Sequence, residues 1–146
     1  MNASPVLQSE DVRLLTQLGM VGAGAGIKDA TETLFRGLMT LRPQRDFAYI
    51  GLASLHLNQR RPEEAVRVLE QGLRVMASGQ AEDSDLAMVQ AFLGLTLIMS
   101  KRTAEAMALL KTLLANSQHE PALRMARGLM GLPVAPQQQH STQEIA

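Results

Sequence analysis

The chain has 146 residues, enough for one domain with a working core and too few for two. Hydrophobic residues make up 46% and aromatics only 3%, so the interior must be built from Leu, Ala, Val and Met, which suits close-stacked helices better than a sheet. Fourteen basic residues balance fourteen acidic ones with no long block of either sign, which argues against nucleic acid or an anionic bilayer as partner, and the lack of cysteine excludes disulfide and thiolate chemistry. No secretory leader is read in MNASPVLQSED, and the longest apolar run, residues 91–99, is too short for a membrane span. A cytoplasmic all-α protein is expected.

Apolar spacing and end signals place seven helices. The first covers about 9–21, after a flexible stretch 1–8, with Glu10 and Asp11 in its opening turn where acids favour the helix dipole. The glycines of GAGAG, residues 22–26, are expected to break it. A second helix over about 28–41 stops before Pro43. The third spans about 46–58, with Asp46 as its cap. The fourth starts near Pro62, where the missing N–H costs nothing, followed by Glu63 and Glu64. The segment SGQAEDS, residues 78–84, reads as an exposed loop whose acids, with Asp85, mark a solvated surface and a helix start, with no calcium-loop spacing. Helices then follow over about 85–99, 103–115 and 120–130. Pro133 ends the ordered chain, and 132–146, rich in Pro and Gln, is expected to be disordered.

The elements repeat. Leu15, Leu18, Gly19, Thr31, Phe35 and Leu38 are followed 34 residues later by Tyr49, Leu52, Ala53, Ala65, Leu69 and Gly72, and after 41 more by Gln90, Leu93, Gly94, Ala106, Leu110 and Leu113. The seven-residue excess coincides with the 78–84 loop. A period near 34 marks stacked helical hairpins, none of which buries its apolar face alone. With the paired positions Leu18-Gly19, Leu52-Ala53 and Leu93-Gly94 and the small residues Ala65 and Ala106, the chain resembles the tetratricopeptide repeat. Thr31, Leu38 and Leu113 depart from that pattern. The resemblance implies three helix hairpins, at about 12–45, 46–79 and 87–120, stacked as a short right-handed α-solenoid within a domain over 9–131. A capping helix over about 120–130 follows them.

A narrower resemblance lies in LTQLGMVGAGAGIKDATETLFRGLMTLRPQRDF and LASLHLNQRRPEEAVRVLEQGL. These stretches are similar to the small tetratricopeptide chaperones of bacterial type III secretion, which hold needle, filament or translocator subunits. The resemblance implies a chaperone that binds an amphipathic helix of a secreted subunit and prevents its premature assembly. A small co-chaperone and a homodimer are both open as further partners. The alternative is a general tetratricopeptide scaffold or regulatory module that is itself a homodimer.

In such repeats the first helix of each pair lines a concave face. The inward places hold Arg13, Thr16, Met20, Ala23 and Gly24, then Phe47, Ile50, Ser54, Leu57 and Asn58, then Met88, Ala91, Leu95, Ile98 and Met99. From these, Met20, Phe47, Ile50, Ser54, Leu57, Met88, Ala91, Leu95, Ile98 and Met99 form the candidate partner-binding groove. A helix with an apolar stripe fits such a groove, and methionine adapts to imperfect partners. The other reading of Met88, Leu95, Ile98 and Met99 is ordinary core, packed under the C-terminal helix or within a homodimer. The carboxylate clamp of heat-shock-binding relatives cannot form, because its places hold Thr16, Met20, Gly51, Met88 and Phe92. Recognition is therefore expected to rest on apolar burial.

No catalytic set is read. His56, His119 and His140 lack partners at zinc spacing, and His56 sits at a packing position. GAGAG follows a helix and lacks the Lys-Ser/Thr ending of a P-loop. No enzyme activity, metal or cofactor is expected.

Overall fold

A computed structural model describes residues 9–25 and 28–133, without the side chains of 9, 11 and 23–25. Seven helices and no strand occur among them: α1 (Ser9–Ala25), α2 (Lys28–Leu41), α3 (Phe47–Asn58), α4 (Pro62–Ala77), α5 (Asp83–Met99), α6 (Thr103–Asn116) and α7 (Glu120–Leu129). The expectations for 1–8, for Gly26, for His140 and for most of the C-terminal tail lie outside the described residues, as does the inward placement of Ala23 and Gly24.

Each helix packs on the next in sequence, and α1, α3, α5 and α7 also pack on one another in turn. Contacts among α2, α4 and α6 are absent from the described residues, so the odd-numbered helices form one layer and the even-numbered helices lie against its other side. Small residues let the layers approach. A Cβ added to Gly19 would lie 2.8 Å from the Phe35 ring, and one added to Gly94 would lie 2.6 Å from Leu110. The ring of Tyr49 occupies the same space over Gly72, at 2.8 Å. All three large residues are essentially fully buried, at the positions that recur along the sequence.

A second cluster joins Ala87 and Ala91 of α5 with Leu110 and Leu113 of α6 and Ala122 and Ala126 of α7. Alanine pairs one turn apart on α5 and α7 let these helices meet closely.

Three sequence expectations change. The first helix does not end before GAGAG but continues to Ala25. Gly22 is buried, and a Cβ there would collide with the Thr31 hydroxyl, so this glycine admits α2 beside α1 and does not form a turn. Leu18 is 56% exposed, although Leu52 and Leu93 at the equivalent positions are buried. Those two lie on helices backed by a preceding hairpin (α2 behind α3, α4 behind α5), and α1 has no such neighbour among the described residues. With Leu14 and Val21 it leaves an apolar stripe open along α1. The fifth helix begins at Asp83, two residues earlier than expected, and Asp85 is buried. The last helix, α7, ends at Leu129, within one residue of its expected end.

The helix ends share one device. After α7, Gly131 adopts φ +69°, its N–H donates to the Gly128 carbonyl, and Leu132 N–H donates to the Arg127 carbonyl. Arg60 (φ 59°) after α3 and Lys101 (φ 61°) after α5 build the same paired bonds, from Arg60 and Arg61 N–H to the Leu57 and His56 carbonyls and from Lys101 and Arg102 N–H to those of Ile98 and Leu97. Two non-glycine residues therefore carry the left-handed conformation at equivalent places. Arg60→Gly is expected to stabilise the protein by about 0.5–1 kcal/mol, read as a higher melting temperature. Conversely, Gly19→Val, which forces the Phe35 ring aside, should cost about 2 kcal/mol and lower the melting temperature by roughly 4–8 °C.

Candidate protein-binding face

The ten candidate groove residues come from α1, α3 and α5, three helices that pack side by side. Met20, Phe47, Leu57, Met88 and Ile98 are half-buried and rest on one core cluster. Leu95 is half-buried as well, and Met99, one turn further along α5, is 52% exposed. Ser54, also half-buried, donates its hydroxyl to the Ile50 carbonyl at 2.8 Å. Two of the ten lie beneath the surface: Ile50 is 6% exposed, and Ala91, at 0%, packs in the cluster with α7. Of the other inward places, Arg13 is exposed, Thr16 is half-buried with its hydroxyl donating to the Val12 carbonyl at 2.7 Å, and Asn58 is exposed.

At the N-terminal end of this face a cavity of about 440 Å³ opens between α1 and α3. Val12, Arg13, Thr16 and Gln17 line one wall, Phe47 lines another, and Arg42 and Arg45 enter from the α2–α3 connection. The repeat pattern predicted Arg13, Thr16 and Phe47 here but missed both connection arginines. The signal available was the pair of basic residues flanking Pro43-Gln44, which no helix periodicity brings to a face.

The connection is held firmly. Tyr49 donates its phenolic O–H to the Pro43 carbonyl at 2.9 Å, and Asp46 N–H donates to Asp85 Oδ1 at 2.8 Å. Arg45 Nε lies 3.3 Å from the same oxygen, with the arginine side chain 53% exposed and that of Asp85 only 4%. Asp46 therefore does not cap α3 through its own side chain; it has helical backbone angles and makes no such bond. Asp85 of α5 does the holding. In the same turn, Asp83 Oδ2 accepts Ser117 Oγ–H at 2.9 Å and Gln118 N–H at 3.1 Å, which fixes the α6–α7 connection. Asp83 and Asp85 are thus staples, each satisfied by donors more than thirty residues away, whereas Glu82 is exposed as expected.

Burial, together with the adjacent Asp85 carboxylate, pushes the Asp46 carboxyl up to about 7. Burial also lowers His56, whose Nδ1 has no partner among the described residues, against smaller opposing pulls from Glu64 and Glu32. The Asp46 proton is held by the folded state and released by the unfolded chain between about pH 4 and 7, so its contribution is full at low pH and lost as pH rises through about 7. Asp46→Asn keeps the neutral shape at every pH. It should match the wild type near pH 4.5 and exceed its melting temperature by a few degrees near pH 8, with the His56 contribution cancelling in the comparison.

No protein-family model matches the sequence, and no curated protein matches it. Among solved structures the chain is similar to SycD, a type III secretion translocator chaperone of Yersinia enterocolitica. The TM-score is 0.62 at 17% identity, over 86% of this chain and 92% of that one. At this identity the likeness establishes a shared all-α fold across nearly the whole of both chains.

Proposed function

We propose that the chain is a cytoplasmic chaperone of a type III secretion system, with α1, α3 and α5 forming a groove for an amphipathic helix of a secreted subunit. On this reading α1–α2, α3–α4 and α5–α6 are three tetratricopeptide-like hairpins of a right-handed solenoid, and α7 is the cap. The observation that carries it is the fold shared with SycD, a translocator chaperone, over most of both chains. The half-buried apolar set Met20, Phe47, Leu57, Met88, Leu95 and Ile98 supports it, because a soluble domain seldom leaves so many large apolar side chains partly open along adjacent helices. Burial supplies the affinity: the chaperone covers the stripe its client later uses for assembly, with no covalent bond made or broken. Binding, with no catalytic turnover, is the proposed activity.

Leu95 and Met99 lie one turn apart on α5 and are both partly open, so aspartate at each disturbs the face more than the core. The double variant Leu95→Asp/Met99→Asp should lose co-purification of the secreted subunit by at least about tenfold while circular dichroism stays helical. Undiminished capture by the folded variant would remove the groove from this account.

A second reading, a homodimeric tetratricopeptide scaffold, is favoured by the open stripe Leu14, Leu18 and Val21 on α1. If it holds, sedimentation will show a dimer that Leu14→Glu/Leu18→Glu converts to a monodisperse monomer. A wild-type monomer at all concentrations would end that reading.

A further inference from the structure

The chain is electrically balanced overall, yet one cavity gathers three guanidinium groups and no carboxylate in its lining. Three arginines elsewhere are paired with acids, Arg36 with Glu32 at 2.8 Å, Arg102 with Glu63 at 3.3 Å and Arg127 with Glu120 at 3.4 Å, and the unpaired ones are scattered, whereas here three converge on one cavity. Arg13 and Arg42 pair with no acid among the described residues. Arg45 Nε lies 3.3 Å from Asp85 Oδ1, yet its side chain stays 53% exposed and lines the cavity. The arginines do not sit on a loose loop, because the Tyr49 and Asp85 bonds fix the connection that carries Arg42 and Arg45. Val12 and Phe47 give the same cavity an apolar wall.

We infer that this cavity receives an acidic side chain of the bound helix, so that the recognised segment carries Asp or Glu beside an apolar anchor packed on Phe47. The inference rests on the proposed reading of the chain as a helix-binding chaperone, and it specifies the chemistry of the partner. Apolar burial along α3 and α5 holds the helix without fixing its register; the carboxylate among three arginines sets register and direction. It also replaces the expectation of recognition without charge. A protein segment fits better than a phosphate backbone, because the positive charge is confined to one end of a face that is otherwise apolar.

The test uses two fluorescein-labelled amphipathic helical peptides, identical except that a pair of Glu one turn apart beside the apolar stripe is replaced by Gln in the second. Wild-type protein should bind the Glu peptide about tenfold more tightly, with the gap closing as salt rises from about 0.05 to about 0.5 M. Arg13→Gln/Arg42→Gln, two exposed positions, should erase the gap while leaving the Gln peptide's affinity unchanged. Leu95→Asp/Met99→Asp should weaken both peptides alike. Equal binding of the two peptides to wild type overturns the acidic preference and leaves the groove standing. Binding of neither overturns both. Displacement of the Glu peptide by a single-stranded oligonucleotide overturns the inference in favour of a phosphate ligand.

Discussion

The fold depends on the fit of a large side chain over a small one. Phe35 over Gly19 and Leu110 over Gly94 are the same interaction at equivalent places, Tyr49 over Gly72 is its converse with the ring on the earlier helix, and each sets the distance between two helices. Apolar burial supplies the driving force at about 25 cal/mol per Å², but it is not directional. The glycines give it direction. Only where the Cβ is missing can a neighbouring ring or isobutyl group lie flush on the helix, and that contact decides which faces remain for other uses.

Electrostatic ties do complementary work at the ends of the helices. α5 offers two acids in its first turn, and each holds a connection from a different part of the chain: Asp85 the one before α3, Asp83 the one before α7. A buried carboxylate left without donors would be strongly destabilising, whereas here backbone and side-chain donors satisfy it. These ties position the candidate face indirectly. Arg42 and Arg45 reach the α1 cavity because Asp85 and Tyr49 hold their loop in place.

The helices and the all-α class were legible in the sequence, because helical spacing and Pro or Gly punctuation are local signals. What escaped was decided by contacts distant in sequence. Gly22 reads as a breaker, since local propensity penalises it, yet the nearness of Thr31 gives it a packing use and the helix runs on. Asp85 reads as a solvated acid because its partners lie 39 residues away. Leu18 matches its repeat equivalents in type but not in burial, since a repeat pattern does not say which unit stands at the end of the stack. Within the candidate face, α3 and α5 supplied residues that the pattern could name, and Arg42 and Arg45 lay outside any pattern.

The span of the long-range bonds has a further consequence. Gln44 to Val75 bridges 31 positions, Ser117 to Asp83 bridges 34, and both Asp46 to Asp85 and Arg102 to Glu63 bridge 39. Each covers about one structural unit, and none of these ties runs from the first helix to the last. Cohesion therefore passes from neighbour to neighbour, like the links of a chain. A disturbance at one joint among the described helices is therefore felt first by the adjoining pair, and the far end of the layer meets it only through the helices between.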